Sequence, residues 1–387
     1  MGPRSRGPLS HGGIRVAFAC FMYRITIMKL YNREFLAIVL FGSYVSVACA
    51  QSSLTLYGSI DEGIGYVSNV KGGTAWVMGP ITVPDQFGFK GAEDLGGGTK
   101  AIFQLENGFF SNTGALASSG VLFSRKAFVG LSDDRWGTVT LGKQWDLTDD
   151  VLLPNANGAV QYNYFLYHPA NIDNDAVTTV NNTVKYAGVP WHGVSARAMY
   201  GFSDASTGQG RYVGAALLYK SSALQLGAVY SDTRDKAYAL HTSLGYDSFL
   251  GQDLSGGAAF KARDSRIFGV AGTYSPNRQW AFHAVLDTAR IASESDAANA
   301  TTAELGVDWN ITPFDTVLLG GYRTWFAGKN YTTAGLSNLY HLSVRTMLYA
   351  QATFQHAGGG AHAALLSLSP ASGSNQASLR VGVQHFF

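Results

Sequence analysis

Apolar and polar residues alternate with a period of two in segment after segment of this chain. In LTLYGSIDEGIGYV, Leu54, Leu56, Ile60 and Ile64 fall on one side, and Thr55, Tyr57, Ser59 and Asp61 on the other. The same pattern sets Ala101, Phe103 and Leu105 against Lys100, Gln104 and Glu106, and Leu224, Leu226, Ala228 and Tyr230 against Gln225 and Ser231. It returns with Trp280, Phe282 and Leu286 against Gln279, His283 and Asp287, and with Leu348, Ala350 and Phe354 against Tyr349, Gln351 and Gln355. Successive side chains of a strand point to opposite faces, so each segment predicts a strand with one apolar and one wet face.

Short turns (Asp94 to Gly98, Asp133 to Arg135, Val189 to Gly193, Ser221-Ser222, Pro276 to Arg278, Thr312-Pro313, Val344 to Thr346) alternate with long polar connections. Short links at one end and long loops at the other are the signature of a membrane-spanning barrel. The predicted fold is all-β: a transmembrane antiparallel β-barrel of about 16 strands if 233–265 is one long fifth loop. It has 18 if Ala237 to Tyr246 and Asp253 to Lys261 make an extra hairpin. Either even count keeps both termini on the periplasmic side.

One break is too long to be a simple connection. After FGFKGAEDLGGGTKAIFQLENGF and LFSRKAFVGLSDDRWGTVTLGKQ, nothing strand-like appears for 34 residues, from Trp145 to Thr178. A loop of that length inside a compact domain is functional or a misassignment. The strands on both sides are clear, so the loop is the predicted functional element.

The front of the chain reads differently. From Met28, a basic start (Lys29, Arg33), an apolar stretch from Phe35 to Val47 and Ala48-Cys49-Ala50 form a secretory signal, residues 28–50. Residues 1–27 are expected to be an upstream extension from a mis-assigned start, and 51–387 the barrel domain. A membrane helix would need a longer apolar stretch, and a lipoprotein signal ending at Cys49 would have a poor residue in Ser46. Cleavage removes both cysteines, six of the 28 Lys and Arg and one of the 26 Asp and Glu, leaving a net charge of −3. An exported chain without disulfides or a basic footprint for nucleic acid remains, rich in Gly and aromatics. A soluble all-β protein would leave its apolar strand faces in water.

Enzyme signatures fail. Gly137 to Lys143 has phosphate-loop spacing, but Gln144 stands where Ser or Thr should hold magnesium, and Val139 and Leu141 alternate as in a strand. There is no G-x-S-x-G elbow and no H-E-x-x-H. Asn171, Asp173 and Asp175 begin like a calcium loop, yet Ala176 replaces the required Gly, which favours solvated carboxylates. No enzyme activity, cofactor or metal site is predicted.

The start SSLTLYGSIDEGI, the block FGFKGAEDLGGGTKAIFQLENGF, the run RKAFVGLSDDRWGTVTLGKQWD, NNTVKY at 181–186, the turn SVRT and the terminal Phe together resemble the trimeric general porins of Gram-negative outer membranes, of the β-proteobacterial type. The resemblance spans nearly all of 51–387. It implies a passive diffusion channel for small hydrophilic solutes and ions in the outer membrane, a third loop folded into the lumen as an eyelet, and a homotrimer in contact with membrane lipid. It further implies a second loop (Ser111 to Gly120) reaching over a neighbour, and Phe387 as part of the signal read by the barrel-assembly machinery. The rival reading is a plugged barrel serving as an adhesin or surface enzyme.

Arg125 matches the family's wall arginine, while Lys90 and Arg380 face the lumen by parity. The expected acidic partners are Asp149 or Asp150, because Asn155 stands where the family commonly has an acid after Pro154. Lys143 shares the outward parity of Val139 and Leu141, and a charge on the lipid face is costly, so it is expected at the subunit interface. Ser59, Gln86 and Val180 stand where the family usually has bases, which predicts weak selectivity, near neutral or slightly favouring cations, with Arg125→Ala shifting it further toward cations.

Overall fold

The computed structural model describes residues 53–79 and 84–387. The signal segment and the upstream extension lie outside the described residues. The alternating segments form sixteen antiparallel wall strands. They are β1 (Ser53–Val70), β2 in two pieces (Gly73–Met78 and Asp85–Gly96), β3 (Thr99–Phe109), β4 (Lys126–Asp133), β5 (Gly137–Trp145), β6 (Thr179–Ala187), β7 (Val194–Gly201) and β8 (Tyr212–Lys220). The rest are β9 (Leu224–Arg234), β10 (Asp264–Tyr274), β11 (Trp280–Ala292), β12 (Ala297–Thr312), β13 (Asp315–Phe326), β14 (Lys329–His341), β15 (Thr346–Gly358) and β16 (Asn375–Phe386).

Each strand pairs with its neighbours in sequence, and β1 pairs with β16 from Ser59↔Phe386 to Val67↔Ser378, which closes the barrel and removes every sheet edge. The terminal residue completes the seam: Phe387 N–H donates to the Gly58 carbonyl, and Gly58 N–H to the Phe387 carbonyl, both at 3.1 Å. The break in β2 is bridged by a side chain. Asp85 accepts from Asp61 N–H (2.7 Å) and Ser111 N–H (2.6 Å), replacing ladder bonds where the second strand leaves the wall.

Register carries the alternation right round the wall. Odd residues of β1 face inward, and through Thr55↔Lys90, Gln104↔Phe128 and Thr140↔Lys185 the inward face continues, mostly polar with Phe128 as an exception. The outward face carries Leu54, Leu56, Leu141, Leu226, Leu305 and Val381, all exposed. Aromatics collect at both ends: Trp280 stacks on Trp309 (5.7 Å) at one, while Trp76 and Trp325 stand exposed at the other. An apolar band flanked by aromatic girdles is the surface a bilayer requires. The tight links lie with the termini, as at Gly96-Gly97-Gly98, where three successive left-handed residues exclude side-chain-bearing types.

Of the two strand counts, sixteen is the observed one. Within 235–263 the only pairings are local, Ala237↔Lys261, Tyr238↔Phe260, Ser248↔Asp253 and Phe249↔Gln252, while Arg234 pairs directly with Asp264 across the base of the loop. Tyr238, Leu240, Leu244, Phe249 and Phe260 are buried together, with Leu240–Leu244 helical. Their apolar side chains face one another rather than lipid, so these segments do not join the wall.

Candidate functional site

The long loop, 146–178, folds into the lumen. Its first residue anchors it: Asp146 Oδ1 accepts from Thr148 N–H (2.9 Å), capping the helix Leu147–Val151, and from the Tyr212 hydroxyl (2.7 Å). Its Oδ2 accepts from the Asn174 amide at 2.9 Å, tying both arms of the loop together. Short helical turns at Leu153–Asn155, Asn157–Val160, Tyr164–Leu166 and Pro169–Asn171 then carry the chain across the inner wall.

The wall beneath these turns is made of glycine. Gly214, Gly227, Gly269, Gly320 and Gly335 lie under Leu147, Val151, Leu152, Asn157 and Leu166, and a β-carbon at Gly320 or Gly335 would collide with the loop. The missing side chains leave a groove in which the loop lies against backbone. At its far end Gln351 Nε2 donates to the Gln161 and Tyr162 carbonyls (3.1 and 2.7 Å), and Asn163 to Thr353 (2.9 Å).

Where the loop leaves β5, charges of both signs meet. Asp150 lies 2.6 Å from Lys185 Nζ on β6 and 2.8 Å from Arg197 Nη1 on β7. Beside them Glu106 on β3 accepts from Arg125 Nε (2.8 Å) and the Tyr57 hydroxyl (2.6 Å), and Gln104 donates to the same hydroxyl (2.6 Å). Trp145 presents its ring to Lys126 Nζ at 3.4 Å and to the Arg125 guanidinium at 5.4 Å, a cation–π contact for each. A cavity of about 210 Å³ lies among Gln104, Lys126, Trp145, Asp150 and Lys185.

The expected site residues divide. Arg125 and Asp150 are both in this cluster but not paired with each other: Arg125 goes to Glu106, and Asp150 to Lys185 and Arg197. Lys90 faces the lumen opposite Thr55 and lies over the Tyr57 ring (5.3 Å). Arg380 also has inward parity, through Gly65, yet it is buried, donating to the Tyr349 hydroxyl (3.0 Å) and the Gly79 carbonyl and lying 3.5 Å from Asp61.

Asp149 is buried and turned back on the loop, accepting from Thr178 N–H at 3.1 Å. Burial, with the neighbouring Asp146 carboxylate, holds its carboxyl well above the usual range, and the side chain is turned away from the lumen. Asn155 is fixed to the wall by the Thr273 hydroxyl (2.7 Å) and through its own carbonyl to His283 Nδ1 (2.9 Å). Val180 packs under the loop and Ser59 is fully buried, so neither position fronts the passage.

Lys143 keeps its outward parity opposite Ala127 but finds a partner in its own chain, Asn181 Oδ1 at 2.8 Å, which in turn donates to Asp204 (2.6 Å). That rim network gives the ammonium a partner within its own chain. Phe387 lays its ring over Gly58. Asp173 and Asp175, read as solvated, are buried between loop and wall.

Sequence reasoning did not single out Glu106, Lys126, Lys185 or Arg197 for the site. Lys185 was legible, since it alternates between Val184 and Tyr186; the pairing of Glu106 with Arg125 depends on register across the 110–125 connection, which no pattern reveals.

A family model described as Gram-negative porin matches residues 36–360. The chain belongs to the Gram-negative porin family. This porin is accordingly an outer-membrane protein. It is 37% identical over 131 residues to an outer membrane porin protein of Bordetella pertussis, a match covering 30% of this chain and 34% of that one. It is 32% identical over 190 residues to outer membrane porin protein 32 of Delftia acidovorans, covering 46% and 53%. The porin thus aligns with about a third and about half of the length of these two relatives.

Among solved structures, the anion-selective porin from Comamonas acidovorans shares the fold with a TM-score of 0.72 at 22% identity, covering 87% of this chain and all of that one. The trimer form of OmpT from Vibrio cholerae gives 0.65 at 16% identity, covering 87% and 99%.

Proposed function

We propose that this porin is a passive diffusion channel for small hydrophilic solutes and ions, and not an enzyme, with its eyelet formed where the inward loop meets β3 to β7. The observation that carries the reading is the seating of the loop: it lies in a glycine groove that runs from β8 to β14, while Lys90 on β2 stays exposed. A loop so held narrows a passage without filling it. Conductance in a planar bilayer tests this; a folded protein that carries no current would favour the plugged adhesin or surface enzyme instead.

The eyelet is weakly selective for anions. Among the described residues, Arg125, Lys185 and Arg197 pair there with Glu106 and Asp150, and Lys126 stands over the Trp145 ring. That surplus of cations reverses the slight cation preference expected from Ser59, Gln86 and Val180. A few charges dominate the field in a narrow, low-dielectric passage. The reversal potential in a KCl gradient reads the sign, and Arg125→Ala moves it toward cations. A cation-selective unmodified protein would refute this eyelet.

The channel works as a homotrimer embedded in outer-membrane lipid. The loop between β3 and β4 exposes Leu116, Val121 and Leu122, an apolar surface suited to a neighbouring copy. Phe387, still partly exposed at the closed seam, is part of the signal read by the barrel-assembly machinery.

A further inference from the structure

On the returning arm of the loop, one imidazole is surrounded by carboxylates. His168 Nδ1 lies 2.8 Å from Asp173 Oδ2, 3.6 Å from Asp175 Oδ2 and 3.8 Å from Asp287 Oδ2, and its Nε2 lies 2.9 Å from Glu304 Oε2. His168, Asp173 and Asp175 belong to the loop, Asp287 to β11 and Glu304 to β12. None of the five is more than 2% exposed.

Two features of this cluster call for a cation. Four carboxylates confront one imidazole, and among the described residues no lysine or arginine forms an ion pair with any of them. Such charge is very costly to bury uncompensated. Independently, among the described residues no N–H or hydroxyl donor reaches Oδ1 of Asp173, Oδ1 of Asp175 or either oxygen of Asp287, which has only the Asp173 carboxylate beside it. Buried polar atoms are nearly always partnered, so oxygens left over around one point indicate an ion.

We propose that this pocket binds a divalent first-row cation, Mn²⁺ or Zn²⁺, through His168 Nδ1 and the carboxylates of Asp173 and Asp287, with Asp175, which accepts from the His168 backbone N–H (2.9 Å), adding negative charge beside it. Ligand atoms of His168, Asp173 and Asp287 lie within 4.8 Å of one another, close to the span of two metal–ligand bonds of ~2.0–2.2 Å. Glu304 Oε2 lies 2.9 Å from Nε2, placed to take a proton on that nitrogen and leave the Nδ1 lone pair for the ion. The nitrogen ligand favours Mn²⁺ or Zn²⁺ over the all-oxygen preferences of Ca²⁺ and Mg²⁺. With ligands from both loop and wall, the ion acts as a clasp on the element that narrows the lumen.

The test uses the whole purified protein, stripped with a chelator in detergent, equilibrated with Mn²⁺ or Zn²⁺ and freed of excess by gel filtration. Bound metal is then counted by mass spectrometry. The expected result is one ion per chain in the unmodified protein and at least a tenfold loss in folded His168→Gln and Asp287→Asn. No retention by the folded unmodified protein, or equal retention by both variants, overturns the site. Should the variants fail to fold, thermal unfolding of the stripped unmodified protein decides: addition of Mn²⁺ or Zn²⁺ raises the transition and Mg²⁺ does not, while no shift with either transition metal rejects the proposal.

Discussion

The carboxylate of Asp150, on the inward loop, lies 2.6 Å from the amine of Lys185, on strand β6 of the wall. Lys185 and Asp150 side chains are each less than a sixth exposed, so solvent screens the pair less than it would a surface pair. Replacing Asp150 with Asn leaves Lys185 and Arg197 without their acid. Reversal potentials of Asp150→Asn in a KCl gradient are expected to move toward stronger anion preference, by more than those of any single substitution outside the lumen.

Asp149, its immediate neighbour, is expected to behave oppositely. Asp149→Asn alters a buried side chain that does not front the passage, so selectivity should stay as in the unmodified protein. Stability should change with pH. Burial raises the folded-state pKa, so the unmodified protein has its full share of stability below the unfolded value of about 3.9 and loses it as pH rises through the folded pKa. Thermal unfolding in detergent should show little difference near pH 4 and a growing advantage for the variant at higher pH.

The glycine groove gives a steric prediction. Gly320→Val drives a branched side chain into Asn157, which already sits where a β-carbon would be. Overpacking of this kind costs about 1–3 kcal/mol. The strands keep their backbone ladder, so the barrel should still form, with a lower melting temperature. The displaced loop is pushed toward the lumen, and single-channel conductance should fall.

Lys143 offers a test at the rim. Lys143→Glu brings a carboxylate toward Asn181 Oδ1 and Asp204, where an amine now stands. The unfolding temperature of the barrel itself is expected to drop, whereas Lys143→Met, which keeps the aliphatic stem, should leave the oligomer band in detergent gels intact. Loss of the oligomer in the Met variant would place Lys143 at the subunit interface.

Sequence alone determined what depends on period and parity. Alternation in segments such as Leu54–Ile64 and Leu348–Gln355 sets which side chains face lipid, because successive residues of a strand must point opposite ways. The absence of alternation from Trp145 to Thr178 marked the functional loop, and parity alone gave Lys90 and Arg380 their inward direction. Whether inward meant exposed was decided only by tertiary structure: Lys90 is open to the lumen, while Arg380 is covered by Gly79 and Tyr349. The same holds for carboxylates. Asp149 and Asp150 are adjacent and look alike in sequence, but the turn of one helix buries the first and aims the second at Lys185. Ion pairs across the lumen join residues 35 to 47 positions apart, and the carboxylates around His168 come from a loop and from strands over a hundred residues away. Such contacts depend on barrel register and loop path, which are properties of the closed wall and leave no local pattern in the chain.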